Sequence, residues 1–141
     1  MTPPILKLEG IEKSFGRNNV LRGIDLDVAP GQSLVVIGGS GSGKSVMLKV
    51  ALGLMTPTAG KVLFDGHDVT SSTGKTRESM RARIGMLFQA GALFDSLTVW
   101  ENVAFRLINA DGVKRGQAKE RAIETLKKVR LGADVANLYP A

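Results

Sequence analysis

Residues 38–45 read GGSGSGKS, between the apolar run 34–37 and the apolar start of a predicted helix at 46–48. This is the G-x-x-x-x-G-K-[ST] pattern in the strand–loop–helix setting that it requires. Glycines let the backbone curl so that successive N–H groups point inward, and the dipole of the following helix adds positive charge. The pattern therefore predicts a nucleotide-phosphate site in an α/β fold rather than a plain Gly/Ser-rich turn.

Two side chains of this loop carry its polar chemistry. Lys44 can reach the β- and γ-phosphates as a point charge, and the hydroxyl of Ser45 is placed to ligate Mg²⁺. The predicted nucleotide-binding residues are Gly38, Gly39, Ser40, Gly41, Ser42, Gly43, Lys44, Ser45 and Val46.

Composition narrows the class of protein. The chain has 141 residues, of which 43% are hydrophobic and 23% charged, as expected for one ordinary domain with a core. The net charge of +6 is spread without a block of five like charges, so nucleic-acid binding is not supported. No cysteine is present, which excludes a disulfide scaffold. Neither a signal peptide nor an apolar span is apparent, which predicts a cytoplasmic chain that meets a membrane only through a partner.

Hydrophobic patterning predicts the secondary structure. The predicted strands are 5–8, 20–28, 33–37, 61–64 with a hairpin partner after Asp65-Gly66, and 84–88; the predicted helices are 44–54, 76–83, one beginning at Thr98, and 116–130. The continuous apolar run 33–37 is typical of a buried parallel strand. Strand 20–28 alternates, and a capping box pairs Thr98 with Glu101. The last helix is predicted to turn Ala122, Ile123, Leu126 and Val129 inward.

A complete hydrolytic site needs more than a phosphate loop. It needs a metal-holding Asp and a group that orients water, usually as four apolar residues followed by Asp-Glu. Asp65 and Asp95 follow apolar residues, but neither is followed by Glu. The only histidine, His67, is expected to be an exposed turn residue. No complete catalytic set is therefore predicted in these residues.

From about residue 5 to residue 141, the chain resembles the N-terminal part of the ATP-binding subunit of an ABC transporter. The matching segments are 6–16, 20–28, 30–32, Gly53-Leu54, 57–60, Asp65-Gly66, Phe88-Gln89 and 97–103. The resemblance implies an α/β P-loop NTPase fold of ABC type. Its β-rich subdomain and RecA-like core would occupy about 1–90, the start of a helical subdomain about 91–141, and the C-terminal portion would be missing.

The resemblance also implies roles for particular residues. Phe15 would stack on adenine, where the family more often has Tyr, although it could be an ordinary packed aromatic. Gln89 would contact Mg²⁺ or the attacking water as the Q-loop residue. Residues 90–102 would approach a membrane permease subunit, although Leu93, Phe94 and Trp100 could simply pack in a core. ATP, Mg²⁺ and a second ATP-binding subunit are the implied cofactors and partner, at the inner face of a bacterial inner membrane.

Within the family, the run 85–97 is most similar to ATPases of Mla-type phospholipid transport. The signature Leu-Ser-Gly-Gly, the Walker B strand with its catalytic Glu and the switch His are not found in these 141 residues. The chain alone is therefore expected to bind Mg-ATP weakly without turnover. It is also expected to expose strand edges and apolar surface and to aggregate.

Two other functions remain open from the residues alone. One is a small soluble P-loop kinase with a lid of Arg77, Arg81 and Arg83, although a solvated helix face explains these arginines better. The other is a non-catalytic nucleotide-binding short form. Gln89 and the segment 98–103 favour the transporter subunit.

Overall fold

The computed structural model describes residues 2–71 and 73–140, in two compact units, Met1–Met86 and Leu87–Ala141. Each unit is described by itself. Met1 and Ala141, the ends of the predicted 1–141 domain, lie outside the described residues.

The first unit contains an antiparallel sheet and two helices. Its elements are β1 (Leu6–Phe15), β2 (Asn18–Val28), α1 (Lys44–Ala51), β3 (Ala59–Phe64), β4 (His67–Asp68) and α2 (Lys75–Arg83). The sheet has the order β2-β1-β3-β4. The predicted hairpin at Asp65-Gly66 is confirmed, since Phe64 pairs with His67. The first strand is longer than the predicted 5–8, because it pairs with β2 along its length, from Leu6 opposite Val28 to Phe15 opposite Asn18.

One face of the sheet packs against the two helices. The predicted alternation of β2 is confirmed, with Ile24 and Leu26 half-buried and Asp25 and Asp27 exposed. The buried residues are Leu8, Ile11, Leu21, Met47, Val50, Ala51, Val62, Val69 and Met80. Each large apolar side chain buried here contributes about 1.5–3 kcal/mol. This core fixes α1, and with it the loop that precedes α1.

Helix α1 is shorter than the predicted 44–54. It ends at Ala51, and Gly53 follows with φ +70, a left-handed conformation that terminates helices. The N–H of Leu54 then bonds to the carbonyl oxygen of Lys49 at 2.8 Å.

Two predicted strands are wrong. Residues 33–37 and 84–88 belong to no strand among the described residues. A buried parallel strand needs neighbours on both sides and cover on both faces, and the four strands of the described sheet supply neither to these runs. Val35 and Ile37 are therefore 80% and 90% exposed. Exposed apolar surface was expected from the resemblance, and it lies on these runs.

The second unit is helical. Its elements are α3 (Val99–Val103), α4 (Phe105–Asn109), α5 (Arg115–Lys128) and a short 3₁₀ turn (Ala133–Val135). The buried residues are Trp100, Ala104, Ala118, Ala122, Leu126 and Ala136. Ala122 and Leu126 thus face inward as predicted, but Val129 does not and is 66% exposed. The reason is that α5 ends at Lys128, one residue earlier, and Arg130 turns the chain with φ +62.

The predicted capping box at the start of α3 is confirmed. The Oγ1 of Thr98 accepts from the N–H of Glu101, and the carboxylate of Glu101 accepts from the N–H of Thr98 at 3.3 Å. The hydrogen bonds from Thr98, with a smaller contribution from Arg115, lower the pKa of Glu101 below its ordinary value. In the part of the chain that the structure describes, no helix has the length and apolar character needed to cross a bilayer.

This cap predicts a pH-dependent stability. Thr98→Ala should destabilise the second unit by about 1 kcal/mol at pH 7, the usual cost of losing a Thr N-cap. Because the pKa of Glu101 is lowered in the folded state, its stabilisation is present above the ordinary pKa of about 4.5 and disappears as pH falls through the lower folded value. The difference between wild type and variant should therefore shrink at acid pH. Urea unfolding followed by Trp100 fluorescence at pH 7 and pH 3 measures it.

Thr125→Ala is the matched control, because the hydroxyl of Thr125 is exposed and bonds only to the carbonyl oxygen of Arg121 inside α5. It should shift stability by at most about 0.5 kcal/mol, with no change between the two pH values. A Thr98→Ala effect of the same size at both pH values would show that Glu101 does not take part.

Candidate functional site

The glycine-rich loop 38–43 enters α1 through Gly43, which occupies the N-cap position at φ 95 and ψ 8. A Cβ at Gly43 would lie 3.0 Å from side-chain atoms of both Val20 and Leu21 and 3.3 Å from the Val20 carbonyl oxygen. The left-handed backbone and the close approach of β2 thus both require glycine here. The loop is consequently seated between β2 and α1.

The ammonium group of Lys44 lies inside this loop. Its Nζ donates to the carbonyl oxygens of Gly38 and Gly39, at 2.7 Å for Gly39, and to the Oγ of Ser42 at 3.3 Å. These bonds curl the loop around the charge. The side chain is therefore already turned back over the loop, where a phosphate bound to the loop would meet it.

A pocket of about 400 Å³ lies over the loop, lined by Val20 and residues 40–46. The N–H of Met47 bonds to the carbonyl oxygen of Gly43 at 2.9 Å, so the N–H groups of Lys44, Ser45 and Val46 precede the first intrahelical bond of α1. Residues 43–51 are all described, and among them no side chain caps α1 and no acid occupies its first turn. The pocket thus combines free N–H groups with uncompensated positive charge, which suits an anion.

A larger depression of about 660 Å³ lies over β1 and β2, lined by Lys7, Glu9, Asp25, Asp27 and two leucines. The hydrogen bond from Lys7 to Glu9 and the charge of Asp27 raise the pKa of Lys7. Three carboxylates against one ammonium group repel phosphate. The smaller pocket at the loop is therefore the candidate site.

The two predicted metal ligands lie in different units. Ser45 is exposed in the first turn of α1, and Gln89 is exposed in a turn closed by the N–H of Gly91 and the carbonyl oxygen of Phe88. Within residues 2–71 and 73–140, no three His, Cys, Asp or Glu residues form a cluster that could hold a metal. The Ser45 hydroxyl and the Gln89 amide oxygen are each a hard oxygen donor of the kind that Mg²⁺ accepts.

Phe15 stands at the end of β1, and the residue is 47% exposed. The Nζ of Lys13 lies 5.3 Å from the ring centroid. Phe15 pairs with Asn18, two residues before the pocket residue Val20, which is about 7 Å along a strand. The ring is therefore not an ordinary core aromatic. Trp100, by contrast, is buried in the core of the second unit.

The arginines of α2 do not form an open cluster. Arg77 donates to the carbonyl oxygen of Gly53 beyond the end of α1, as does Arg81 at 3.5 Å. Arg83 pairs with Asp65 and lies 4.9 Å from the Phe64 ring centroid. Arg81 and Arg83 are exposed, as a solvated helix face predicts, but neither that interpretation nor a kinase lid includes these contacts. The cationic side chains were the available signal, because Lys and Arg commonly bond to free carbonyl groups at helix ends.

A second set of contacts also lay outside the sequence predictions. Asn102 in α3 bonds through its side-chain amide to Phe94, Leu97 and Thr98, at 2.8 to 3.2 Å. Its position in the motif segment 97–103 was the only signal in the sequence.

Comparison with known proteins decides the family. The ABC transporter family matches residues 21–139, most of the chain. The chain belongs to the ABC transporter family. Among curated members, it is 37% identical over 129 residues to the probable ribonucleotide transport ATP-binding protein mkl of Mycobacterium leprae, covering 92% of this chain and 37% of that protein. It is 42% identical over 139 residues to the methionine import ATP-binding protein MetN of Corynebacterium diphtheriae, covering 96% and 40%.

Solved ABC structures share the fold. The ATP-binding cassette MJ0796, solved as a dimer in a post-hydrolysis state bound to ADP and Pi, is 31% identical with a TM-score of 0.83, covering 96% of this chain and 61% of that one. The predicted ABC-type P-loop NTPase fold is therefore confirmed. The chain spans little more than a third of the length of the mycobacterial relative.

Proposed function

We propose that this chain is the nucleotide-binding part of an ABC transporter subunit that couples ATP binding and hydrolysis to transport. The observation that carries the proposal is the loop pocket, where free N–H groups, the positive end of α1 and the Lys44 ammonium meet. This arrangement suits a triphosphate tail far better than any neutral ligand.

Each residue of the pocket has a defined task in this proposal. The N–H groups of the loop and of Val46 bind phosphate oxygens, and Lys44 neutralises the β- and γ-phosphates. The hydroxyl of Ser45 and the amide oxygen of Gln89 hold Mg²⁺, which supplies charge neutralisation on the phosphates when bound. Phe15 stacks on the adenine ring.

Hydrolysis needs further groups that these 141 residues do not contain, among them an Asp-Glu pair after an apolar strand. Our proposal therefore assigns ATP binding to these residues and turnover to the complete protein. A second ATP-binding subunit is proposed as a partner, in keeping with the dimeric MJ0796 cassette.

We place the membrane permease contact at residues 90–102, on the cytoplasmic face of a bacterial inner membrane. Leu93 and Phe94 are 59% and 50% exposed there, an apolar surface that suits an apolar helix of a permease. Relatives named as import ATP-binding proteins support a permease partner.

Phospholipid is the cargo that we propose. The support is the run 85–97, which resembles Mla-type ATPases. The relatives carry names for ribonucleotide, methionine and spermidine/putrescine transport, so their names do not select a cargo. Transfer of labelled phospholipid between membranes by the reconstituted transporter, driven by ATP, tests this choice.

Gln89→Ala tests the proposed function in the complete protein assembled with its permease. Because Gln89 is proposed to orient Mg²⁺ and water rather than to bind phosphate, the variant should bind ATP within about twofold of wild type and hydrolyse it about tenfold or more slowly. Phosphate release and nucleotide titration measure the two quantities.

Gln117→Ala, an exposed glutamine of α5, is the matched control and should leave both quantities unchanged. Equal rates of hydrolysis by wild type and Gln89→Ala would show that Gln89 takes no part in the site. Lack of ATP binding by the wild type would overturn the proposed function.

A further inference from the structure

The side chain of Asn102 directs both ends of its amide at one short segment. Its Oδ1 accepts from the N–H of Phe94 at 2.8 Å, and its Nδ2 donates to the carbonyl oxygens of Phe94, Leu97 and Thr98 at 3.1, 3.2 and 3.0 Å. A side-chain amide offers two donor hydrogens and one acceptor oxygen. Both ends of the amide are thus engaged by residues 94–98.

This segment has no regular secondary structure of its own. Backbone groups outside helices and strands need other partners, and Asn102 supplies them here. The Phe94 ring also stacks on the Phe105 ring, with centroids 4.7 Å apart and an interplanar angle of 28°. Asn102 and Phe105 therefore hold Phe94 through its backbone and its ring respectively.

Helix α3, which carries Asn102, is itself firmly fixed. Trp100 is buried in the core of this unit, and its N–H donates to the carbonyl oxygen of Ala136 at 3.0 Å. The N–H of Val99 donates to the carbonyl oxygen of Leu138 at 2.8 Å, and the capping box closes the same turn. Asn102 thus projects from a rigid support.

We propose that Asn102 is a positioning residue. It holds residues 93–97, which overlap the segment 94–98 that it contacts, in the shape that binds the membrane subunit. This inference rests on the proposed function, which places the permease contact at residues 90–102. Leu93 and Phe94 present the apolar surface, and Asn102 fixes the backbone from which they project. Binding then does not incur the entropy cost of ordering this segment.

The test uses the complete protein with its permease and compares Asn102→Ala with wild type. Hydrogen exchange of the Phe94 amide should become about tenfold faster, because its acceptor is lost. Affinity for the permease should fall about tenfold, and the affinity for Mg-ATP should stay within twofold. Asn102→Asp keeps the acceptor oxygen and loses the donors, so it should retain protection at Phe94 while the affinity for the permease falls.

Asn109→Ala is the matched control, because the side chain of Asn109 makes one bond, to the carbonyl oxygen of Phe105 in its own helix. It should behave as wild type. Unchanged exchange at Phe94 in Asn102→Ala, or faster exchange with unchanged permease affinity, would overturn the proposal. If Leu93→Ala and Phe94→Ala also bind the permease normally, the proposed permease contact at residues 90–102 is wrong as well. These two variants therefore distinguish failure of the role of Asn102 from failure of the proposed contact.

Discussion

Lys44→Ala is expected to weaken Mg-ATP binding by about a hundredfold and to abolish measurable hydrolysis by the complete protein. The variant removes the one ammonium group that lies within the loop, where it bonds to the Gly39 carbonyl oxygen at 2.7 Å. Charge-assisted bonds to phosphate contribute about 1.5–3 kcal/mol each, so losing them accounts for a change of this size. Titration calorimetry with Mg-ATP measures the affinity.

Lys49→Ala is the control, because Lys49 is an exposed lysine on the same helix and its replacement removes the same charge. It should bind Mg-ATP as wild type does. Because Lys44 also ties the loop together, hydrogen exchange across α1 should be recorded for both variants to separate loss of charge from loss of structure. Similar affinities in Lys44→Ala and Lys49→Ala would mean that nucleotide binds elsewhere.

Gly43→Ala is expected to destabilise the first unit by about 2–4 kcal/mol. A left-handed backbone costs about 1–2 kcal/mol for a residue with a Cβ, and the new Cβ would press on Val20 and Leu21 of β2 at 3.0 Å. The loop or β2 must then shift, so nucleotide affinity should fall too. Since the only tryptophan, Trp100, lies in the second unit, amide exchange in β1 and β2 is the appropriate measurement.

Substitutions at two neighbouring glycines separate the effect of backbone strain from that of the contact with β2. Gly41 has φ +78 with nothing within 4 Å of a Cβ, so Gly41→Ala should cost only the backbone strain, about 1 kcal/mol. Gly39 is also open and has no positive φ, so Gly39→Ala should change stability by at most about 0.5 kcal/mol. If Gly43→Ala lowers the stability of the first unit no more than Gly41→Ala does, the close contact between Gly43 and β2 does not exist.

Local signals in the sequence predicted local structure well. The hairpin at Asp65-Gly66 and the cap at Thr98 depend on residues that are adjacent or three apart. A short stretch of sequence is therefore enough to predict each of them. The loop 38–45 is similar, because the order of its glycines and Lys44 indicates where the N–H groups and the ammonium group come together.

Signals that depend on distant partners were less informative. The apolar run 33–37 predicts a strand that is buried between neighbouring strands. Its own residues do not specify those neighbours, which must come from elsewhere in the sequence. Among the described residues no strand pairs with it, and Ile37 is exposed. Val129 fails for a smaller reason, since helical periodicity cannot show that α5 ends at Lys128.

Side-chain contacts to irregular backbone were missed entirely. Arg77 on the Gly53 carbonyl oxygen and Asn102 on the 94–98 segment depend on how loops fold back on helices. Neither leaves a periodic pattern in the sequence. Both side chains supply hydrogen-bond partners to backbone groups that lie outside helices and strands.

Hydrogen exchange of the complete protein with and without saturating Mg-ATP tests the central claim most directly. We expect amides in residues 39–46 to gain protection in wild type, because their N–H groups bind phosphate oxygens. At a Mg-ATP concentration that just saturates the wild type, Lys44→Ala, with its weaker affinity, should show a much smaller gain. Protection confined to the acidic depression over β1 and β2, or no change at residues 39–46 in a protein that binds ATP, would contradict it.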